Sequence, residues 1–461
     1  MASHDLPVVK ILEISQVSPF INSANSLTHL SIPLTFFDVV WIKFPPMETL
    51  FFYQFTGLTL LRFNSEILPK LKHSLSLALG YYLPLAGKVT WPPHAHIPTI
   101  SYSKDDTVSV HVEESNADFN RLSGDDIHES SESRHLIPEL LTSDESTSSM
   151  AVQITLFPNQ GFCIGVAMHH AVSDGATAIA FLKSWAYLSA NLGKENPNLS
   201  PELTPYIDRT VVKDHTGICM MYLKHLFQFN ESDNLEANQR SLKLNEDLGL
   251  NRNSFRATFK LTREDIKKLR EKILSTKQLH LSTFVITYAY VLVCFVKAKE
   301  VEGHRNVHFI IPVDCRSRLD PPLPQNYLGN CVYFRDATLK AGVFMEENGV
   351  AKIAEKISDM IRDIEEKELL EGAEEGLEKL AKIAEAEEQM FTIAGSNRSQ
   401  FYGVDLGWGR PKKIEVTSID RTGSIAMSES GDGNGVEIGL VSSSHEMESF
   451  KSVFVSGLQY V

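Results

Sequence analysis

The spacing of apolar and polar positions changes period several times along the chain. Leu71, Leu75 and Leu79 recur at helical spacing and predict a helix that Pro84 and Gly87 bring to an end. Ala151–Phe157 and Gly161–Met168 are short apolar runs on either side of a Pro-Asn-Gln-Gly turn, and they predict two joined strands. Gly175–Leu192 places Phe181, Trp185, Leu188 and Leu192 on one face and predicts a helix. Thr262 and Asp265 have the spacing of a capping box, opening a helix with Ile266, Leu269 and Ile273 inside. The longest mostly apolar run, Leu281–Val296, is short for a membrane span and carries Ser282, Thr283, Thr287 and two tyrosines. It predicts a buried core helix. The Glu/Lys/Ala-rich stretch 346–388 predicts solvated helices, and its two AKIAE pentapeptides, at 351–355 and 381–385, are read as coincidence.

At 461 residues the chain is too long for one ordinary core. Residues 191–253 are rich in Asn, Glu, Ser and Pro and predict a crossover between two halves. The expected partition is an N-terminal domain over 1–200, a crossover over 201–254 and a C-terminal domain over 255–461. A net charge of −14 argues against a nucleic-acid partner. Five cysteines at irregular spacing, with no CxxC pair, suggest free thiols in a reducing compartment rather than disulfides or zinc. The first fifteen residues lack a basic segment followed by a long apolar one. These features together predict a cytoplasmic protein, free of membrane and expected to be monomeric.

The sharpest chemical signal is His169-His170-Ala171-Val172-Ser173-Asp174-Gly175, where an apolar strand runs into a helix. A strand end delivers side chains to a sheet edge, and a neutral imidazole there is matched to removing a proton near neutral pH. Asp174 stands where a helix N-cap is expected, and Gly175 is expected to let the backbone turn sharply. On this segment alone, a His pair satisfied in the core with Asp174 as a plain cap explains the residues equally well. No HExxH, GxSxG, GxGxxG or P-loop pattern occurs, so no metal, elbow nucleophile or dinucleotide is expected. A second segment, Asp405-Leu406-Gly407-Trp408-Gly409, reads as a tight turn with one large anchor.

Together, His170–Asp174 and Asp405–Gly409 resemble the HxxxD and DFGWG marks of the plant BAHD acyltransferase family, with Leu406 where Phe is usual. Pro33–Asp38, Tyr81–Val89, Val152–Gly161, Asp208–Asp214, Val313–Cys331 and Gly435–Leu440 are similar to it as well, so the likeness spans the chain. It implies an α/β fold of two chloramphenicol-acetyltransferase-like domains with a solvent channel between them. It further implies transfer of an acyl group from acyl-CoA to a hydroxyl, with no other cofactor and with His170 as general base. Asp174 would be structural and paired with Arg316. Asp405 is carried among the catalytic residues as the family's motif aspartate, although the motif is expected off the channel. Gly175, Gly407, Trp408 and Gly409 would support the site, and Phe37 and Asp38 would line the acceptor side.

For the donor, the resemblance and the phosphate preference of helix N-termini point to Ser282 and Thr283. Ser396, Asn397 and Arg398 lie in the loop before Asp405, and Lys267 and Lys268 are phosphate partners if their helix face is not simply solvated. Tyr327–Cys331 resembles the YFGNC of the clade acylating anthocyanin, flavonoid and phenolic glycosides, and Asp174–Thr177 resembles members using malonyl-CoA. Malonyl transfer to a glycoside hydroxyl is therefore expected, with hydroxycinnamoyl transfer as the alternative. A non-catalytic binding member of the fold and a carrier-protein-dependent condensation domain are the other readings. The second lacks a Gly-Trp-Gly loop.

Overall fold

The computed structural model describes residues 9–21, 28–194, 198–228, 240–245, 253–274 and 281–366. Between 372 and 459 it describes all but 374–375, 377, 380–381 and 384–387. The architecture is mixed α/β, as expected from the sequence. One six-stranded sheet runs in the order Val9–Val17, Val108–Ser115, Met150–Phe157, Gly161–Met168, Met47–Gln54, Lys413–Val416. A seven-stranded sheet runs Val332–Lys340, Asn306–Asp314, Gln389–Gly395, Ile425–Glu429, Gly435–Ser442, Phe255–Thr262, His128–Glu129. A small four-stranded sheet runs His29–Pro33, Thr99–Ser103, Lys88–Thr90, Ser146–Ser148.

The two large sheets exchange strands across the expected partition. Lys413–Val416, late in the chain, is antiparallel to Met47–Gln54, while His128–Glu129 pairs with Phe255–Arg256. Each half thus completes the other's sheet, which the linear division at 200 and 255 does not convey. The predicted hairpin is present, with Met150–Phe157 and Gly161–Met168 in register and every residue of both strands buried. A strand covered on both faces has no solvent-facing side to alternate with, hence the mostly apolar runs, in which the buried Gln153 bonds Glu113 and the His135 carbonyl.

The predicted core helix spans Thr283–Ala298 and is almost wholly buried, packing on Gly349–Glu366 and Ser444–Gln459. The capping box forms as read: the Thr262 amide donates to Asp265 at 2.9 Å and the Asp265 amide to Thr262 Oγ1 at 3.1 Å. Two expectations change. Gly349–Glu366 is no merely solvated helix, because Ile353, Ala354, Ile357, Met360 and Ile364 recur at helical spacing and are buried. The crossover contains an unanticipated helix, Ile218–Phe227, that buries Ile218, Cys219, Tyr222 and Leu223. The second AKIAE segment lies mostly outside the described residues. All five cysteines are free and buried. Among the described residues no helix is long and apolar enough to cross a membrane, and no group of three His, Cys, Asp or Glu is placed to hold a metal.

Candidate active site

The strand Gly161–Met168 ends at a loop whose residues 169–174 lead into the helix Gly175–Ala190. The His169 amide donates to the Ser149 carbonyl at 2.9 Å, holding the strand end, and the Val172 amide closes a turn onto the His169 carbonyl at 2.9 Å. Neighbouring side chains on extended backbone point opposite ways. His169 accordingly enters the core, fully buried, its Nδ1 accepting from the Ala171 amide at 3.1 Å. Burial, then the neighbouring His170, push its pKa down to about 3. It is a core histidine, the reading that the sequence left open for the pair, although its buried Nε2 has no hydrogen-bond partner.

His170 goes the other way and stays partly exposed. Its imidazole lies flat on the Trp41 indole, with ring centroids 3.7 Å apart and planes 5° from parallel. Phe44 meets the imidazole edge-on at 5.9 Å. Loss of water around the imidazole pushes the His170 pKa down to about 4, against its own backbone, the Asp174 charge and Asn330, which favour the protonated form. The side chain is therefore neutral near pH 7 and able to accept a proton.

Three other segments clamp the loop. Asn330 Nδ2 donates to the His170 carbonyl at 2.8 Å, and Arg209 Nη2 donates to the Val172 carbonyl at 2.8 Å. Arg316 closes on Asp174, with Nη1 2.9 Å from Oδ2 and Nη2 3.0 Å from Oδ1. The Asp174 carboxylate also accepts from the Thr177 amide at 2.9 Å, the expected N-cap, and from the Cys331 amide at 3.1 Å. Burial opposes its ionisation, but the Arg316 charge and these donors outweigh that and hold the carboxyl below its usual range. All its hydrogen bonds run away from His170. Asp174 is thus paired with Arg316 and joined to Cys331, which links the loop to residues 316–331.

Several expected residues stand elsewhere than anticipated. Asp38 does not line an acceptor surface: it is fully buried and accepts from Thr35 Oγ1 and Arg209 Nη1, both at 2.7 Å, and from Asn330 Nδ2 at 3.0 Å. A carboxylate so fully coordinated is a fixed strut. Phe37 is likewise buried, packed on Phe36 at 4.3 Å. Asp405 is exposed, and its Oδ1 accepts from the Gly407 and Gly409 amides at 2.8 and 2.9 Å. That carboxylate organises its own turn rather than chemistry at His170. Gly175 has ordinary backbone with open space where a Cβ would stand, so no sharp turn depends on it.

The Asp405–Gly409 turn is seated on the first half. Ser189 Oγ donates to the Leu406 carbonyl at 2.7 Å, Trp408 packs edge-on to Phe162 at 5.9 Å, and Lys70 Nζ lies 4.4 Å from the Trp408 ring centre. The turn favours glycine at position 407, whose φ is +98°, a conformation that residues with a side chain rarely adopt.

The donor-side candidates lie on three separate elements. Ser282 caps the helix Thr283–Ala298, accepting from the Val285 amide at 3.3 Å. The Ser396 hydroxyl is used within its own turn, accepting from the Arg398 amide at 3.2 Å, and Asn397 is half-buried. Arg398, Lys267 and Lys268 are exposed. Trp41, Arg209 and Asn330 were not singled out from sequence. The available signals were Phe37, Trp41 and Phe44 at helical spacing, the segment Asp208–Asp214, and Tyr327–Cys331, which the sequence offers only as a mark of the clade.

A model of the Transferase family matches residues 13–456. "Phenolic glucoside malonyltransferase 1" of Arabidopsis thaliana is 42% identical over 470 residues, covering 98% of each chain. "Malonyl-CoA:anthocyanidin 5-O-glucoside-6''-O-malonyltransferase" of the same plant is 42% identical over 468 residues, again covering 98% of each. Its "Agmatine coumaroyltransferase" is 38% identical over 463 residues, covering 97% of this chain and 98% of that one. Among solved structures, vinorine synthase superposes with a TM-score of 0.69 at 19% identity, over 97% of this chain and 98% of that one.

Proposed function

This chain belongs to the Transferase family, as a BAHD acyl-CoA-dependent acyltransferase, and we propose that it moves a malonyl group from malonyl-CoA to a sugar hydroxyl of a phenolic or flavonoid glycoside. The observation that carries the reading is the neutral, partly exposed His170 on a loop clamped at the carbonyls of residues 170 and 172 and at the Asp174 carboxylate. Nε2 of His170 removes the hydroxyl proton as the oxygen attacks the thioester carbonyl. The resulting tetrahedral oxyanion collapses, the C–S bond breaks, and the leaving CoA thiolate takes the proton back from the imidazolium, which releases free CoA and restores the neutral base. No covalent enzyme intermediate and no metal take part. Donor and acceptor would meet at His170 from opposite sides of a channel between the two halves.

The malonyl and glycoside assignments rest on the two malonyltransferase relatives and on the YLGNC and DGAT segments. Ser282, Thr283, Ser396, Asn397, Arg398 and Lys268 are the proposed donor contacts. The coumaroyltransferase relative favours a second reading, in which the donor is a hydroxycinnamoyl-CoA. A panel of malonyl-, acetyl-, coumaroyl- and caffeoyl-CoA against several phenolic glucosides separates the two. Malonyl-CoA should give the highest kcat/KM. Preference for coumaroyl-CoA across the acceptors would overturn the donor assignment, and no CoA release with any pair would overturn the enzyme reading.

A further inference from the structure

A general base that takes a proton becomes a cation, and a half-buried cation needs a partner. In a Ser-His-Asp arrangement a carboxylate supplies it. Here neither nearby carboxylate is available: Asp174 is held by Arg316 and two amides, and Asp38 by Arg209, Thr35 and Asn330. Among the described residues no carboxylate hydrogen-bonds the His170 ring, and the polar groups beside it, its own backbone and the Asn330 side chain, favour the protonated form but carry no charge.

What does face the ring is Trp41. Neutral aromatic pairs prefer offset or edge-on packing, because face-to-face stacking opposes like quadrupoles. A parallel stack at 3.7 Å is instead the arrangement in which an indole face attracts a cation. Trp41 is itself fixed, with Phe44 edge-on at 4.9 Å and Phe334 at 5.4 Å, and its amide closing onto the Asp38 carbonyl at 3.1 Å. We infer that Trp41 is a positioning residue that holds the His170 imidazole flat and stabilises the imidazolium formed when it accepts the proton, taking the place of the triad carboxylate.

This rests on His170 being the base. An interaction stronger with the imidazolium than with the imidazole lowers the barrier rather than tightening substrate binding. Removing it should therefore reduce kcat and leave KM within about two-fold.

The test compares Trp41→Phe and Trp41→Leu with the parent enzyme, with malonyl-CoA and a phenolic glucoside, after circular dichroism shows each is folded. The order of kcat should be Trp, Phe, Leu, with the Leu variant roughly 3- to 30-fold down. Should the variants not fold, fluorotryptophan incorporated throughout the parent keeps the shape of every indole while weakening its π face. It should lower kcat in the parent and, where Trp41→Phe folds, not in that variant. Equal kcat in the parent and Trp41→Leu, a loss confined to KM, or no effect of fluorination would overturn the inference. His170→Ala, measured alongside, separates the two failures. If it retains full activity, the base assignment has failed. If it is inactive while the Trp41 variants are unimpaired, only the role of Trp41 has.

Discussion

Arg316 faces Asp174 with both terminal nitrogens, at 2.9 and 3.0 Å, and the two side chains are 1% and 2% exposed. Arg316 Nη2 also donates to the Gly329 carbonyl at 3.0 Å, and Gly329 donates to Thr177 Oγ1 at 3.2 Å. The pair therefore ties the helix after His170 to the segment 316–331 of the other half. Arg316→Ala leaves the buried Asp174 carboxylate without a cation and should lose roughly 3–5 kcal/mol of stability, whereas Asp174→Ala leaves Arg316 with the half-exposed Asp314 carboxylate 3.3 Å away and should lose less. The double variant should lose much less than the sum of the two. A denaturant series on the three variants checks this. Additive losses would mean the two groups are not coupled.

The two adjacent histidines should part company on substitution. His170→Ala should lower kcat by roughly 10²–10⁴-fold with the fold intact, the usual contribution of a general base. His169→Ala empties a fully buried site and should show up mainly as a lower melting temperature. Steady-state kinetics beside thermal unfolding distinguishes them, and equal kinetic losses would remove the base assignment.

Burial holds the His170 pKa at about 4, well below the ordinary 6.5. A base works only when deprotonated. Activity should therefore be complete through pH 5–7 as far as this group is concerned, and fall as pH drops through about 4. The acid limb of the kcat/KM profile reports this pKa in the free enzyme. A limb near 6.5 would mean that His170 is solvated, or that another group limits the rate.

The mechanism calls for no metal. EDTA should leave kcat unchanged, and the reading fails if activity is lost on chelation and returns with a divalent ion.

Local rules made much of this molecule legible. The hairpin, the Thr262–Asp265 cap and the Asp174 N-cap each depend on a few adjacent residues, and each formed as read. The exchange of Lys413–Val416 into the first sheet depends on pairing with Met47–Gln54, hundreds of residues away, and no local pattern records it. Asp38 shows the same limit. From sequence it is an acid in an aromatic stretch, and only the arrival of Arg209 and Asn330 makes it a strut. Gly175 erred in the opposite sense, since a glycine invites a backbone explanation that its ordinary φ and open surroundings do not require. Of the residues in the two marks, Asp174 is buried and held by Arg316, Asp405 is bonded within its own turn, and His170 is partly exposed.

The donor assignment makes the most exposed prediction. A malonyl carboxylate brought beside the thioester loses water and must recover that energy from a cation or several hydrogen bonds. Arg398 is exposed, on the loop that follows the strand Gln389–Gly395, and its guanidinium pairs with no carboxylate among the described residues. The same loop reaches the first half, where Gln400 Oε1 accepts from Lys183 Nζ at 2.7 Å, so it borders both halves. If Arg398 meets the donor carboxylate, Arg398→Ala removes a charge-assisted hydrogen bond available to malonyl-CoA but not to acetyl-CoA. Such bonds contribute about 1.5–3 kcal/mol, so kcat/KM for malonyl-CoA should fall roughly 10- to 100-fold. Acetyl-CoA should lose at most a few-fold, from any contact Arg398 makes to the CoA portion common to both donors. Arg398→Lys should recover part of the malonyl activity, since a point charge replaces some of what a bidentate guanidinium provides. Equal losses for both donors would place Arg398 on the CoA phosphates instead, and no loss for either would remove it from the donor site.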